Sequence, residues 1–468
     1  MAATNPNTQT TGALLKAAEL LVGGFLASSG LKHQLLLVGS RLLETDLAED
    51  SDLDLVLVVL GAPKDFRGAF FRDFSLHLQA LQDPSLSEIA AAVESIHIPV
   101  LSWRLRLPGL PAVSVDLALC CTPASQVKGD LSAFSPSDWQ DLGSADLLAI
   151  DSWRGALFIL EALPDAGVSR VLFSKLVRWI KAWAVSKQIY TNLAGYLCGF
   201  SWTLMVLYFL QHRSTRSTTT TITSSSLTTT TTTTTTSSSD LIPSFETLLL
   251  GFFEFYAAYD WTQPLCFGKD KPIACKHPMT ILGPLPPYNN TTRGITRSGR
   301  FLVTKSLEVA WQSLSAPEAT PETLSQQLKL TPLAEISFIK GFMLVSIGAI
   351  TPEGMQQARG WAKSQLVRLV KSLEGCSEKI LVLPYGHVLD HPNENYPHGL
   401  LLVLGIGRSQ GTAERVGPVL EAFTQSFERW CSTVFVPSGF GITFRPAADS
   451  PGIKIKHVRV LPTSLRAL

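Results

Sequence analysis

Residues Leu35–Leu60 read LLLVGSRLLETDLAEDSDLDLVLVVL, and the reading of this stretch decides the fold. It divides into an apolar strand, a Gly39-Ser40 turn, a short helical segment and a second apolar strand entered through Asp52 and Asp54. In an extended strand residues i and i+2 share a face, so Asp52 and Asp54 project together while Leu53, Leu55 and Leu57 point the other way. Two neighbouring carboxylates repel, and one takes up a proton unless a cation supplies positive charge; a shared divalent metal does so. The competing reading is a solvated acidic turn, since Asp46, Glu49 and Asp50 lie close by. That reading leaves the Gly-Ser turn and the apolar strand unexplained. The D-L-D-L alternation gives the ligand role to Asp52 and Asp54 and leaves Asp50 as a turn residue.

Further along, the alternation V-S-V-D-L-A-L over Val113–Leu119 predicts a strand with Asp116 inside it. A carboxylate in an apolar strand is costly unless paired or bound to metal, which makes Asp116 a natural third ligand. Mg²⁺ prefers oxygen ligands and keeps several waters, so three carboxylates completed by water and nucleotide phosphates suit it.

The chain has 468 residues, 46% of them hydrophobic, which is enough for two to four packed domains and excludes a disordered or collagen-like protein. A formal charge of +1 excludes a globally basic nucleic-acid coat, so any nucleic-acid contact comes from local patches. Seven cysteines without a CxxC pair give no zinc or secreted-disulfide framework; reduced, buried thiols in an intracellular protein are expected. The N-terminus MAATNPNTQTTG lacks the blocks of a signal peptide. Leu193–Leu210 is uncharged, at the lower edge of spanning length, and reads as a buried helix rather than a membrane span.

In chain order, Thr11–Ser28 is an amphipathic helix, and Phe66–Gln82 and Leu86–Ile96 have helical patterns. Pro99–Leu107 is a strand. From Ser152 the pattern turns helical, and Arg170–Tyr190 places Lys175, Arg178 and Lys181 on one side, with Leu172, Leu176, Trp179 and Trp183 roughly opposite. A lysine beside a carboxylate-metal centre is useful for offsetting polyphosphate charge. Ser214–Ser239 is almost entirely Thr and Ser and reads as a disordered insertion. Helices follow at Phe245–Tyr259 and Leu302–Ser315, and Ala316–Gln327 reads as a linker. Ile336–Ile347, Glu353–Leu373, Ile380–Pro384, Leu400–Ile406, Glu414–Trp430 and Ile442–Val460 give the order β-α-β-β-α-β, a ferredoxin-like arrangement used by many RNA-binding domains.

Gly39-Ser40, then Asp52-Leu53-Asp54-Leu55 and the distant Asp116 resemble the signature of the DNA polymerase beta-like nucleotidyltransferase superfamily. More specifically, Ile180-Lys-Ala-Trp-Ala184, Ile189-Tyr-Thr-Asn192, Gly195-Tyr-Leu-Cys-Gly-Phe-Ser-Trp202, Asp260-Trp-Thr-Gln-Pro-Leu265, Pro286–Asn290 and the C-terminal block resemble eukaryotic canonical poly(A) polymerases from about Leu31 to Val460.

The resemblance implies an α+β chain in three domains. These are a nucleotidyltransferase mixed-sheet catalytic domain (20–150), a helical central domain (151–330, with 1–19 packed on it) and a ferredoxin-like, RRM-like RNA-binding domain (335–462). It implies template-independent addition of AMP from ATP to an RNA 3′ end, with release of pyrophosphate. Asp52, Asp54 and Asp116 would be the catalytic residues and the ligands of two Mg²⁺ (or Mn²⁺) ions. Gly39, Ser40, Lys181, Tyr190, Gly199 and Phe200 would contact the nucleotide. Arg154 belongs to the same set, where Ser152-Trp-Arg-Gly155 stands in place of the family's SLNG and Cys198 and Phe200 alter the glycine-rich element. Lys340, Arg359, Lys363, Lys454 and Lys456 are the candidate RNA contacts, without an RNP-type aromatic motif. The implied partners are the RNA 3′ end, ATP and cleavage and polyadenylation factors, for a nuclear, monomeric protein with no membrane partner. The rivals are a terminal uridylyltransferase or noncanonical poly(A) polymerase, a 2′-5′ oligoadenylate synthetase, and a non-catalytic RNA-binding scaffold.

Overall fold

The structure, a computed structural model, describes residues 6–47, 51–63, 65–90, 98–122, 142–216, 243–268, 277–316, 321–329, 341–349, 352–384, 389–390, 398–407, 418–426, 429 and 454–461. The chain forms two compact units, one of Met1–Arg178, Leu210–Ile242 and Gly283–Tyr288, the other of Trp179–Phe209, Pro243–Leu282 and Asn289–Leu468.

In the first unit the order is α1 (Pro6–Leu26), β1 (His33–Leu37), α2 (Gly39–Leu42), β2 (Leu53–Leu60), α3 (Phe66–Ala80), β3 (Leu86–Ala90), β4 (Val100–Leu105), β5 (Val113–Thr122) and α4 (Ser144–Ala162). The strands form one mixed sheet in the order β1-β2-β5-β4-β3. The central pair β2/β5 is parallel and the other neighbours are antiparallel.

β2 and β5 carry near-continuous apolar runs because both faces of the central strands are covered. Leu53, Leu55, Leu57 and Val59 pack with Val113, Val115, Leu117 and Leu119 against Leu14, Ala18 and Val22 of α1 and Phe70, Phe74 and Leu78 of α3. The four-residue spacing of Leu14, Ala18, Val22 and Leu26 explains why α1 buries one stripe. Val56, Val58, Ala118 and Cys120 form the opposite face with Ala149 and Ile150 of α4.

A guanidinium ties three of these elements together. Arg67 of α3 donates from Nη1 to the Leu119 carbonyl at 2.6 Å and pairs through Nη2 with Asp146, whose Oδ1 also accepts the Cys121 amide at 2.5 Å. Asp146 lies in the first turn of α4, where a carboxylate faces the positive end of the helix. Burial pushes the Cys121 thiol up to about 11, with Arg67 opposing and Asp146 reinforcing the shift.

The helical pattern at Leu86–Ile96 is overturned where the structure describes it: Leu86–Ala90 is strand β3, and residues 91–97 lie outside the described residues. Leu86 and Ile89 mimic a helical three-residue step because the strand is irregular. Glu88 has φ +49 and the register with β4 shifts between Ser87 and Ala90, so both apolar side chains reach the same core.

The second unit contains the C-terminal half of α5 (Arg170–Ser186), most of α6 (Gly199–Arg216), then α7 (Phe245–Ala257), α8 (Arg297–Leu314), α9 (Pro321–Gln327), β6 (Gly341–Ala349), α10 (Pro352–Gly375), β7 (Leu381–Pro384), β8 (Leu389–Asp390), β9 (His398–Gly407) and β10 (Lys454–Leu461). Aromatic side chains dominate its helical core. Trp183 meets Trp202 edge-on at 5.8 Å and Phe253 at 4.8 Å, and the Tyr256 hydroxyl donates to the Met205 carbonyl at 2.7 Å.

α6 is apolar because Trp202 and Leu204–Leu207 are wholly buried, and among the described residues no helix is long and apolar enough to cross a membrane. Part of the expected linker is helical: α9 starts at Pro321, whose missing amide costs nothing in a first turn. The Thr/Ser run beyond Arg216 lies outside the described residues, as do Asp50 and Lys340. The C-terminal sheet is antiparallel in the order β10-β6-β9-β7, with β8 paired to β9, and residues 418–426 are helical.

Folding holds a proton on Cys121, so its alkylation by iodoacetamide at pH 8 should run roughly a hundredfold slower than that of a free thiol of pKa about 8.5, and recover in denaturant. Peptide mapping by mass spectrometry reads this. The unfolded state loses that proton first, so Cys121 contributes a fall in stability as pH rises from the ordinary thiol range through about 11, and none below it.

Candidate active site

The parallel register places Asp54 opposite Asp116, and Ser102 of β4 stands on the other side of Asp116. Paired residues on neighbouring strands share a face, so both carboxylates project with the Val56, Val58, Ala118 and Cys120 side of the sheet. The Ser102 hydroxyl donates to Asp116 Oδ1 at 2.6 Å, which fixes that carboxylate's rotamer.

Gly39, at the end of β1, has φ +70, and a Cβ added there would run into the Asp54 carboxylate. Only glycine serves here, on both conformational and steric grounds. The Val38 amide donates to the Asp54 carbonyl at 3.0 Å and holds the turn to the strand. The Ser40 carbonyl accepts the Thr45 amide at 2.8 Å. Asp52 lies just before β2 and is exposed.

Sequence reasoning missed Arg41 and Ser102. Arg41 is 5% exposed; its Nε donates to the carbonyls of Ser51 at 3.0 Å and Asp52 at 3.3 Å, Nη2 to Ser51 at 2.5 Å, and Nη1 to Thr11 Oγ1 at 3.2 Å. It therefore fixes the backbone that presents Asp52. The available signal was that Arg41 is the sole basic residue between Leu35 and Leu60. Ser102 had no signal until the β4/β5 register was known.

The fit to a divalent cation is partial. Asp54 and Asp116 supply hard oxygen donors on one face of the sheet, with the Asp54 carboxylate seated against Gly39. Among the described residues, however, no group of three or more His, Cys, Asp or Glu side chains is gathered to hold a metal ion.

In the second unit Lys181, Tyr190 and Gly199 come together. Lys181 is buried at 4% exposure, so it is not a solvated helix-surface lysine. Gly199 opens α6, where an added Cβ would lie 2.5 Å from Tyr190 Oη and 3.5 Å from Lys181 Nζ. The intervening loop closes on itself: the Thr191 amide donates to the Leu197 carbonyl at 2.9 Å, and Tyr190 bridges Leu197. Phe200 is half-buried beside this group in sequence. Cys198 Sγ lies 3.2 Å from Ser201 Oγ, which donates to Thr291 Oγ1 at 2.9 Å.

Arg154 lies in the first unit, buried, with Nη1 donating to the Pro286 carbonyl at 3.0 Å and 3.7 Å from Asp151 Oδ1. Burial lowers its pKa and Asp151 opposes the shift. Arg359 is half-buried and Lys363 exposed on α10, while Lys454 and Lys456 occupy β10 positions paired with Gly348 and Ser346.

Residues 172–229 match the family model described as poly(A) polymerase central domain. The chain is 22% identical over 433 residues to a poly(A) polymerase of Dictyostelium discoideum, covering 87% of this chain and 47% of that protein. It is 20% identical over 364 residues to nuclear poly(A) polymerase 1 of Arabidopsis thaliana, covering 75% and 45% respectively. With poly(A) polymerase pla1 of Schizosaccharomyces pombe the identity is 22% over 361 residues, covering 73% and 55%. The chain spans about half the length of the curated relatives it matches.

Among solved structures, Cid1 poly(U) polymerase with MgGTP bound superposes with a TM-score of 0.50 at 17% identity, covering 70% of this chain and 94% of that one. That likeness is one of fold alone. Residues 172–229 thus resemble a poly(A) polymerase central domain, and the sequence relatives named above are poly(A) polymerases.

Proposed function

We propose that the chain transfers AMP from ATP to an RNA 3′ end without a template. The observation that carries this is the in-register pair Asp54 and Asp116 beneath the Gly39 turn, in a chain whose sequence relatives are poly(A) polymerases. In the reaction the primer 3′ oxygen bonds to the α-phosphorus of ATP as its hydroxyl proton passes to solvent, the α–β phosphoanhydride breaks, and pyrophosphate leaves with its electron pair.

Asp52, Asp54 and Asp116 would hold Mg²⁺ or Mn²⁺, two ions in all. Such ions polarise phosphate oxygens and lower the pKa of the attacking hydroxyl. Ser102 engages Oδ1 of Asp116 and so holds the carboxylate's orientation. The backbone amides after Gly39 would hold the triphosphate, and Ser40 offers a hydroxyl. Lys181 supplies charge to the triphosphate from a buried position, where it acts more strongly than in water. Tyr190 adds a hydroxyl, and Gly199 and Phe200 line the base and sugar. Arg154 has further donors beyond the one given to Pro286, and these would reach the nucleotide.

We read the chain as three domains: 20–150 together with α1, whose Leu14 and Ala18 pack on β2 and β5 and not, as expected for 1–19, on the central domain; then 151–330; and 335–462. The β10-β6-β9-β7 order, with the first strand central and the last beside it, supports a ferredoxin-like C-terminal domain. Arg359, Lys363, Lys454, Lys456 and Lys340 would bind RNA phosphates there. A nuclear, monomeric enzyme working with cleavage and polyadenylation factors accords with relatives that include nuclear poly(A) polymerases.

Extension of an unstructured RNA primer, with each nucleoside triphosphate supplied separately and Mg²⁺ or Mn²⁺ present, tests the reading. ATP tails are expected; UTP tails would transfer the chain to the uridylyltransferases, and tight RNA binding without extension would make it a scaffold. Asp116→Ala should abolish incorporation while leaving the circular dichroism spectrum unchanged; robust activity in that variant removes the carboxylate argument. Gly39→Ala, strained at φ +70 and pressed against Asp54, should cut kcat at least about tenfold, roughly 1.4 kcal/mol of barrier.

A further inference from the structure

The first turn of α8 is held by a carboxylate from a distant part of the second unit. Glu374, near the end of α10 and 7% exposed, accepts the Ser298 amide on Oε1 at 2.7 Å and the Arg297 amide on Oε2 at 3.1 Å. The N-cap Thr296 accepts the next amide, Gly299, at 2.9 Å. Two side chains thus satisfy three of the amides that a helix start leaves unpartnered, and the Glu374 charge faces the positive end of the helix.

Further bonds reinforce the knot. Arg297 Nη2 donates to the carbonyls of Glu374 at 3.0 Å, Ser377 at 2.8 Å and Ile380 at 2.9 Å. Ser298 Oγ accepts the Val382 amide of β7 at 2.8 Å. The other side of the same turn bears on the loop between Tyr190 and Gly199. The Thr296 amide donates to the Gly195 carbonyl at 3.1 Å, and a side chain on Gly299 would strike that carbonyl. Gly195 itself has φ +83, and a Cβ there would lie 2.6 Å from Thr296 Cγ2. The neighbouring Tyr196, wholly buried, donates its hydroxyl to the Pro384 carbonyl at 3.4 Å. α10, β7, the start of α8 and the Gly195 loop are therefore one hydrogen-bonded block with no slack at the glycines.

We infer that Glu374 is a positioning residue for the nucleotide: by fixing the first turn of α8 it sets the Gly195 loop, and through it the placement of Tyr190 and Gly199. The inference rests on the nucleotide-binding reading of Lys181, Tyr190 and Gly199. It also links the C-terminal sheet to ATP affinity, since β7 and α10 enter the block directly.

Glu374→Gln tests it, because an amide accepts only one of the two bonds and turns an NH₂ toward the other donor. Steady-state primer extension and equilibrium binding of a fluorescent ATP analogue with Mg²⁺ are measured on the full chain. KM for ATP and the analogue's Kd should rise about 5- to 20-fold, with kcat within about threefold and KM for primer unchanged. Thr296→Ser keeps the capping oxygen and removes the methyl behind Gly195; it should shift ATP affinity the same way by a smaller factor, and it carries the test if Glu374→Gln does not fold. Folded variants with wild-type ATP affinity overturn the inference. So does a parallel rise of both KM values with a lowered Tm, which marks a merely structural residue. Wild-type chain that binds no ATP overturns the nucleotide-binding reading itself, a result distinguishable from the others because it precedes any substitution.

Discussion

The parallel pairing of β2 with β5 is the constraint on which the first unit depends. It places Asp54 across from Asp116 and, in the same register, stacks Leu53, Leu55 and Leu57 with Val115, Leu117 and Leu119 on the opposite face. A slip of β2 by one residue would turn Asp54 into the α1/α3 core and its leucines toward the α4 side, away from the helices they fit, so core packing fixes the phase of the acidic pair. Each buried leucine contributes roughly 1.5–3 kcal/mol to that choice, far more than the mutual repulsion of two hydrated carboxylates costs. Arg67 and Arg41 secure the two ends, one at the β5 terminus and one at the backbone before β2.

The second unit meets a different demand. Its helices carry bulky aromatics, and Trp183, Trp202, Phe252, Phe253 and Tyr256 interlock edge to face, leaving few alternative packings. Lys181, on the same helix as Trp183, is buried at 4% exposure. Polar order is added where the aromatics end: the α8 cap and the closed Thr191–Leu197 loop fix backbone that side-chain packing does not reach.

Much of this was legible because it follows from periodicity. The D-L-D-L and V-D-L-A alternations gave β2 and β5, and their equal phase brings Asp54 to Asp116. The unbroken apolar run of α6 read correctly as burial rather than membrane crossing. The misreadings share a cause, which is that long-range partners decide local structure. Leu86 and Ile89 imitate a helix because a bulge at Glu88 realigns them, and no local feature announces the β4 neighbour that makes the bulge worthwhile. Pro321 signalled a helix start inside an apparent linker, but its composition outweighed that signal. Glu374 was invisible as a cap, since its acceptors meet amides 76 and 77 positions away. Ser102 gains meaning only once β4 and β5 are paired, and Arg41 once the backbone before β2 is in place beside it.

The parallel crossover also has a kinetic side. Asp116 follows Asp54 by 62 residues, and the chain must close that loop before the first β2–β5 bond forms. Closure costs about 4 kcal/mol of chain entropy by the (3/2)RT ln n relation, whereas the antiparallel β1/β2 and β4/β5 pairs close much shorter loops. Contact order therefore predicts two half-sites that assemble early, one holding Gly39 with Asp54 and the other Ser102 with Asp116. Electrostatic repulsion between the halves first arises when they join. The chemistry of the acidic pair is thus also the last obstacle in building the sheet that carries it.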